Sequence, residues 1–513
     1  MYLDRERNLV IYDTPDHAKI TGVVPGARHI INGYVAAPIT LHNLQLLRWL
    51  GFQVPAPMDG DAYDWPGRYK PFDAQRITAN FLAVHPRALV LSDMGTGKTL
   101  AALWASDFIM RANPGMRCLI VSPLSTLQRV WADAIFQNFL GRRRCVVLHG
   151  DAKKRRSLLA GNADFYITNY EGVRVLHRQL EHRPDVRMCI IDEASAYRDV
   201  GTQRHQIARK ILATRDYLWL MTGTPTPNGP TDAYGLAKLV NNAFGESFSS
   251  YKHRVMTQVA MWKWAPRADA HVAANKLLQP SIRFSISDCI DLPPCTTQQR
   301  DVELSPAQSE AYKKLKRDMV LTVQSGKPIT AANEAVLRMK LIQISCGAVY
   351  GPDREVNLVD AKPRLQALRE VMEQCREKII IFAPLTSVVN LLYKELKDYD
   401  RAVVNGAVSQ KERSDIFRRF ETEPTPRVLI ADAATMAHGI TLVAASTIIW
   451  YAPIDRTELY LQANKRIDRP GQTKATTIVQ LASTPLEREI YKRLAANENL
   501  QGLVLKLAKG EIE

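Results

Sequence analysis

The chain has 513 residues, with 68 Lys and Arg against 52 Asp and Glu, a formal net charge of +16. Its 46% hydrophobic and 23% charged residues describe a folded chain of about three domains and exclude wholesale disorder. The charge surplus suggests a polyanionic partner, against the plainer reading of a basic protein that stays soluble.

No apolar run exceeds strand size, as in Ile379-Ile380-Ile381-Phe382-Ala383, so no membrane-spanning helix and no membrane partner are expected. The charged start Met1-Tyr2-Leu3-Asp4-Arg5-Glu6-Arg7 is not a secretory signal. Seven scattered cysteines (Cys118, Cys145, Cys189, Cys289, Cys295, Cys346 and Cys375) include no CxxC pair. They argue against a zinc site or disulfide framework and for a reducing, cytoplasmic compartment.

In chain order, residues 1–62 carry short alternating strand-like stretches and an Asn32-Gly33 type I′ hairpin signal. A helix follows over 41–50, then a linker marked by Pro55, Pro57, Gly60 and Pro66. Residues 65–285 predict strands over 88–91, 118–121, 145–148, 165–167, 189–191 and 217–221, alternating with helical stretches. From 290 to 513 the pattern resumes, with strands over 379–382, 402–404, 428–430, 447–450 and 477–481. Near-continuous apolar strands separated by helices predict α/β architecture, with parallel sheets covered on both faces. The expectation is two α/β lobes behind a small α+β N-terminal module.

The strand over 88–91 runs into Ser92-Asp93-Met94-Gly95-Thr96-Gly97-Lys98-Thr99 and then a helix start. Gly95 and Gly97 let the backbone wrap so that amides, including that of Thr96, point at phosphate. The helix N-terminus adds its positive dipole end. Lys98 reaches the β and γ phosphates, and the Thr99 hydroxyl is a Mg²⁺ ligand. The departure is Ser92 in place of the first glycine of GxxxxGK[ST]. A second site closes another strand, where Cys189-Ile190-Ile191 leads into Asp192-Glu193-Ala194-Ser195. Asp192 is expected to hold the Mg²⁺ hydration shell and Glu193 to orient or deprotonate the attacking water. The plain alternative is a solvated helix-capping pair.

Taken in order from about 68 to 472, the motifs resemble the Swi/Snf-type branch of superfamily 2 helicase-like ATPases. Lys70 to Gln75 resembles the Q-motif, which implies adenine recognition by Gln75. Leu119 to Leu127 with Trp131 resembles motif Ia, and Ile167-Thr168-Asn169-Tyr170-Glu171 the next strand-end motif. Met221-Thr222-Gly223-Thr224-Pro225-Thr226-Pro227-Asn228 resembles motif III. Asp291-Leu292-Pro293-Pro294 and Leu304-Ser305-Pro306-Ala307-Gln308 look like the start of the second lobe. Within it, Ile380-Ile381-Phe382 resembles motif IV, and Met436 to Leu442 motif V. Gln462 to Gln472, with Arg466 and Arg469, resembles motif VI.

The resemblance implies two RecA-like lobes with ATP and Mg²⁺ bound between them. Lys98, Thr99, Asp192 and Glu193 would come from the first lobe, and arginine fingers Arg466 and Arg469 from the second. Gly439 and Gln472 join the implied nucleotide contacts, and Thr222 and Thr224 are implied as the coupling pair. A guanidinium suits the finger role, since its planar fork meets developing phosphoryl charge with several donors. Ser195 stands where the family usually has His, and Met436-Ala437 where it often has a glycine pair. Large remodeler insertions have no room, so a compact, monomeric bacterial or phage-like motor is expected.

Two basic clusters, Arg142-Arg143-Arg144 and Lys153-Lys154-Arg155-Arg156, are candidate phosphate contacts without base readout, or else solvated helix faces. Ser122, Thr168 and Thr441 are nucleic-acid contacts on the resemblance alone. Met261-Trp262-Lys263-Trp264 with Arg267 offers stacking beside charge, or buried packing. Residues 22–50 are similar to the HARP-type module of annealing helicases but have His29 where its Trp is expected; the alternative is a brace on the first lobe.

The leading expectation is an ATP-dependent translocase that remodels or anneals duplex or branched DNA. A strand-separating helicase on DNA or RNA, a non-motor ATP switch, and the motor subunit of a restriction-type complex with a separate protein partner stay open.

Overall fold

The computed structural model describes residues 1–30, 33–68, 70–260, 263–285, 288–289, 293–324, 331–351, 353, 355–436, 441–469 and 471–496. The chain divides into two compact units, Met1–Cys289 and Ile290–Glu513.

The first unit opens with strands β1 (Tyr2–Asp4), β2 (Leu9–Asp13), β3 (Arg28–His29) and β4 (Tyr34–Pro38), paired antiparallel in the order β1-β2-β4-β3. Ile31 and the expected turn residue Asn32 lie outside the described residues. Helix Leu41–Trp49 has Thr40 as its N-cap, the side chain accepting from the Asn43 amide. A small core of Val10, Ile20, Val35, Leu44 and Leu47 includes Val84 of the helix Asp73–Val84. Gln45 Nε2 donates to the Ala83 carbonyl (2.8 Å) and the Tyr217 hydroxyl (3.1 Å). The module is therefore built onto the sheet domain that follows it.

That domain is a seven-stranded, all-parallel sheet. Its strands are β5 (Arg87–Val90), β6 (Arg117–Val121), β7 (Cys145–Val147), β8 (Phe165–Thr168), β9 (Val186–Asp192) and β10 (Tyr217–Met221). Strands β11 (Met256–Ala260) and β12 (Lys263–Pro266) pair with each other only, and the short β13 (Ser281–Ile282) completes the main sheet. The order is β13-β5-β10-β9-β6-β8-β7. Alternation sorts the side chains onto two faces. Ala88, Val90, Cys118, Ile120, Trp219 and Met221 enter one core; Leu89, Leu119, Val121, Leu218 and Leu220 enter the other. Both faces are covered by helices, which is why these strands read as unbroken apolar runs. Each fully buried Leu or Ile contributes roughly 1.5–3 kcal/mol.

The second unit contains β14 (Cys295–Asp301), β15 (Ala348–Tyr350), β16 (Val356–Leu358), β17 (Lys378–Ala383), β18 (Arg401–Val404), β19 (Val428–Asp432), β20 (Ala445–Trp450) and β21 (Thr476–Ala482). Six of them form a parallel sheet in the order β14-β21-β20-β17-β19-β18. The parallel α/β class expected of both halves is present. Strands β13 and β14 were not among the expected elements.

Candidate active site

Strand order builds the site. β5, β10 and β9 are neighbours, and register places Val90, Met221 and Asp192 side by side at their C-terminal ends. The loops leaving these three strands therefore emerge together, in the crevice where open α/β sheets bind ligands.

The loop after β5 turns at Gly95 (φ 87°) and Gly97 (φ 77°), both left-handed. Gly97 is doubly constrained, because a Cβ there would lie 2.0 Å from Gln75 Nε2. Gln75 is buried, and its Oε1 accepts from the Phe72 amide (3.2 Å). The Q-motif glutamine is thus packed on the phosphate loop. Lys98 opens the helix Lys98–Ala112, and its Nζ donates to the carbonyls of Ser92 (2.5 Å) and Asp93 (2.9 Å). Thr99 follows in the first turn. The Thr96 hydroxyl donates to the Asp93 carbonyl (2.9 Å). Ser92 tolerates replacement of the usual glycine: its φ is not positive, and its Oγ accepts from the Phe284 amide (3.0 Å), pinning the loop to the segment after β13.

Asp192 is held by three donors. Its Oδ2 accepts from Trp131 Nε1 (3.0 Å) and Ser122 Oγ (3.1 Å), and its Oδ1 from the Glu193 amide (3.0 Å). Glu193 has left-handed backbone (φ 49°, ψ 52°), uncommon for a residue with a Cβ and of the kind that clusters at functional sites. The Tyr170 hydroxyl donates to the carbonyls of both Asp192 (2.8 Å) and Glu193 (3.1 Å). Burial and the two nearby carboxylates push the Tyr170 phenol well above its ordinary range, so it stays a donor. Tyr170 and Trp131 both stood inside motifs legible in the sequence, but their role in fixing the acidic pair was not.

Thr222 is buried, and its Oγ1 accepts from the Thr224 amide (3.1 Å). Between them, a Cβ at Gly223 would lie 3.5 Å from the Ser92 carbonyl and 3.6 Å from the Met94 amide. The motif III turn therefore lies against the phosphate loop, where a coupling role was expected.

The donor set suits a magnesium–nucleotide. A wrapped loop and helix N-terminus meet phosphate, and the Thr99 hydroxyl and Asp192 carboxylate are hard oxygen ligands. Among the described residues no cluster of three or more His, Cys, Asp or Glu is arranged to hold a metal. Magnesium commonly takes one or two carboxylates and completes its shell with water and substrate phosphates.

In the second unit, Arg466 is 1% exposed, and its carbonyl accepts from the Leu442 amide (3.1 Å). Arg469 donates through Nε to the Lys465 carbonyl (2.8 Å) and through Nη1 to Thr441 Oγ1 (3.3 Å). Motifs V and VI are thus tied together at Thr441. Gly439 lies outside the described residues. Gln472 differs from its expected nucleotide contact. It is buried, with Nε2 shared among the carbonyls of Val443, Ala445 and Ile467 and Oε1 accepting from the Lys474 amide. Its side-chain amide group is a staple between backbone segments of motifs V and VI.

Several expected nucleic-acid contacts are also placed elsewhere. Ser122 and Thr168 are fully buried, Ser122 on Asp192 and Thr168 between Arg155 and the Leu148 carbonyl. Arg142 pairs with Asp64 (2.7 Å) and Asp107 (2.8 Å), and Arg143 with Asp107 (2.6 Å) and Asp164 (3.5 Å). Both guanidiniums are thus paired with carboxylates. Arg144, Lys153, Lys154 and Thr441 are exposed. Arg155 is buried, its Nη1 donating to Asn169 Oδ1 (2.9 Å). Met261 and Trp262 lie outside the described residues.

The chain is similar to known proteins over most of its length. The family model "SNF2-related domain" matches residues 68–346, more than half of the chain, and "Helicase conserved C-terminal domain" matches 363–471. The chain is 24% identical over 429 residues to a SWI/SNF-related matrix-associated actin-dependent regulator of chromatin subfamily A-like protein 1 of Xenopus tropicalis, covering 80% of this chain but 42% of that protein. It is 24% identical over 418 residues to an uncharacterized ATP-dependent helicase of Mycoplasma genitalium, covering 78% of this chain and 38% of that protein. It is 24% identical over 471 residues to a putative protein of Acyrthosiphon pisum secondary endosymbiont phage 1, covering 86% and 99%. The chain thus spans about two-fifths of the first two relatives and nearly all of the phage protein. The solved Sulfolobus solfataricus SWI2/SNF2 ATPase core in complex with dsDNA aligns over 90% of this chain and 96% of that chain, at 21% identity and TM-score 0.40. With the phosphate loop, acidic pair and motif III converging on three adjacent strand ends, and the family model covering them all, the chain belongs to the SNF2-related family, with a helicase C-terminal domain behind its SNF2-related domain.

Proposed function

We propose that this protein is a DNA-dependent ATPase that translocates on duplex or branched DNA and remodels or anneals it. The observation that carries the reading is the convergence of Lys98, Asp192 and Glu193 on adjacent strand ends, with the motif III turn against the same loop.

The loop amides and Lys98 bind the β and γ phosphates of ATP. Mg²⁺, held by Thr99 and Asp192, would neutralise charge on those phosphates. Trp131 and Ser122 keep the Asp192 carboxylate in one orientation. Glu193, its backbone fixed by Tyr170, orients the attacking water and accepts its proton. Arg466 and Arg469 supply positive charge to the transferring phosphoryl group; such fingers are worth roughly 10³–10⁵ in rate. Phosphate contacts through Lys153, Lys154, Arg144 and Thr441 carry no base information, which suits movement over any sequence.

The test is displacement of a third strand from a triplex on duplex DNA. ATP-dependent displacement by the wild type, absent in Lys98→Ala, is expected. DNA-stimulated hydrolysis without displacement would remove translocation from the account.

A further inference from the structure

The ladder between β5 and β13 does not stop where the strands do. The Leu89 amide donates to the Pro280 carbonyl (3.0 Å) and the Leu91 amide to the Ile282 carbonyl (2.8 Å). Past the ends of both strands, the Asp93 amide donates to the Phe284 carbonyl (2.9 Å), keeping the same two-residue step. By that point the chain is in the phosphate loop. The returning bond is made to a side chain: the Phe284 amide donates to Ser92 Oγ (3.0 Å). Phe284 is thus clipped to the loop through both of its backbone groups. One half of the clip is a hydroxyl, which the usual glycine of this motif does not have. Ser92 is 1% exposed, and a hydrogen bond in so dry a place is held more firmly than one at the surface.

The Ser92–Asp93 segment is touched from two other sides. Lys98 Nζ donates to both of its carbonyls, at 2.5 and 2.9 Å. The motif III turn approaches at Gly223, where an added Cβ would lie 3.5 Å from the Ser92 carbonyl oxygen and 3.8 Å from the Asp93 carbonyl carbon. Beyond Phe284, the Ser285 amide donates to Asp288 Oδ2 (2.7 Å), and the Asp288 amide donates to the Ser285 carbonyl (3.2 Å). Cys289 Sγ bonds the same carbonyl (3.3 Å), and its thiol is pushed up by burial and by the carboxylates of Asp288 and Asp93. The first unit ends at that cysteine. The phosphate-seeking lysine, the motif III turn and the last stretch of the first unit therefore share one short piece of backbone.

From this shared contact we propose that Ser92 is a positioning residue, coupling the nucleotide site to the segment by which the chain leaves the first unit. When ATP binds, Lys98 exchanges the Ser92 and Asp93 carbonyls for the β and γ phosphates. Those carbonyls lose their cation, the Ser92–Asp93 peptide shifts, and the bond from the Phe284 amide to Ser92 Oγ passes the shift into Phe284. Glycine at this position would leave the Asp93–Phe284 bond to do so alone. The proposal rests on the nucleotide-site reading above and adds the residue through which an occupied loop is felt outside the pocket.

The test is hydrogen exchange of the full chain, read by mass spectrometry on peptides covering residues 281–289. It is run with and without Mg²⁺ and a non-hydrolysable ATP analogue, AMP-PNP, at an occupancy set by a binding isotherm. The variants are Ser92→Ala and Ser92→Gly, which remove the same oxygen in two ways. In the wild type the analogue should change exchange of this segment about fivefold or more, the lower end of ordinary site-to-site coupling. In the variants the segment should exchange faster without nucleotide, and the analogue at matched occupancy should change it less than about twofold. Wild-type exchange across β6 and β9 would show that the sheet is intact. A full wild-type response in either variant would overturn the role of Ser92. No response in a fully occupied wild type would overturn the coupling and leave the nucleotide site standing. A wild type that does not bind the analogue would overturn the site and the coupling together.

Discussion

The Tyr170 hydroxyl bonds two consecutive carbonyls, those of Asp192 and Glu193. Removing that oxygen takes a donor from both carbonyls, leaving the Glu193 carbonyl with the Ala196 amide (3.2 Å) alone, and loosens the left-handed turn at Glu193. Tyr170→Phe should lower kcat about tenfold or more with little change in ATP binding, measured by steady-state hydrolysis beside a nucleotide-binding isotherm. An equal loss in both would assign Tyr170 to binding instead. At this scale a motif that fixes backbone is legible in the sequence, as in the left-handed turns at Gly95 and Gly97. A residue type alone is not. Ser122 and Thr168 are strand-end hydroxyls, and nothing local shows that they turn inward. Gln472 stands in a nucleotide motif, but its bonding to Val443, Ala445 and Ile467 depends on how two motifs fold together.

At the scale of elements, the expected strands fall within or close to their observed spans because each carries a run of apolar residues for two covered faces. β14 escaped notice for the opposite reason. Cys-Thr-Thr-Gln-Gln-Arg-Asp is an exposed edge strand, paired in parallel to β21. The triple-arginine run was misleading because its partners are distant in sequence. Asp64, Asp107 and Asp164 come from the linker, from the helix after the phosphate loop, and from the turn before β8. Asp107 is fully buried and also accepts from the Tyr63 hydroxyl (2.8 Å), so it ties linker, helix and loop together. Breaking a buried pair by removing one partner costs about 3–5 kcal/mol. Asp107→Ala should therefore lower the melting temperature by several degrees in thermal unfolding, and an unchanged transition would deny the network its structural role.

Across the whole molecule, stability should depend on pH through buried histidines. Burial holds the rings of His85 and His205 below the ordinary value of 6.5. Each also makes a ring-nitrogen hydrogen bond to a backbone carbonyl, His85 to Phe81 and His205 to Gly235. The Arg48 guanidinium, donating to His85 Nε2 at 3.1 Å, opposes a second proton there. The folded chain keeps these rings neutral while the unfolded chain protonates near 6.5. As pH falls through 6.5, protons bind the unfolded state in preference, so stability declines below that point and is restored above it. Melting curves should shift down by a few degrees from pH 7.5 to 5.5, and His85→Gln should shallow that dependence. A flat profile in the wild type would contradict the buried neutral rings.

The central claim is that one nucleotide site, built on three adjacent strand ends, serves a DNA-driven motor. Steady-state ATPase rate tests it most directly, for wild type, Lys98→Ala and Glu193→Gln, alone and with single-stranded DNA, duplex DNA, a Holliday junction and RNA. The account predicts strong stimulation of the wild type by duplex or branched DNA and no turnover in Lys98→Ala. Glu193→Gln should bind ATP without hydrolysing it. Normal turnover in Glu193→Gln, or a wild type indifferent to every DNA, would contradict it.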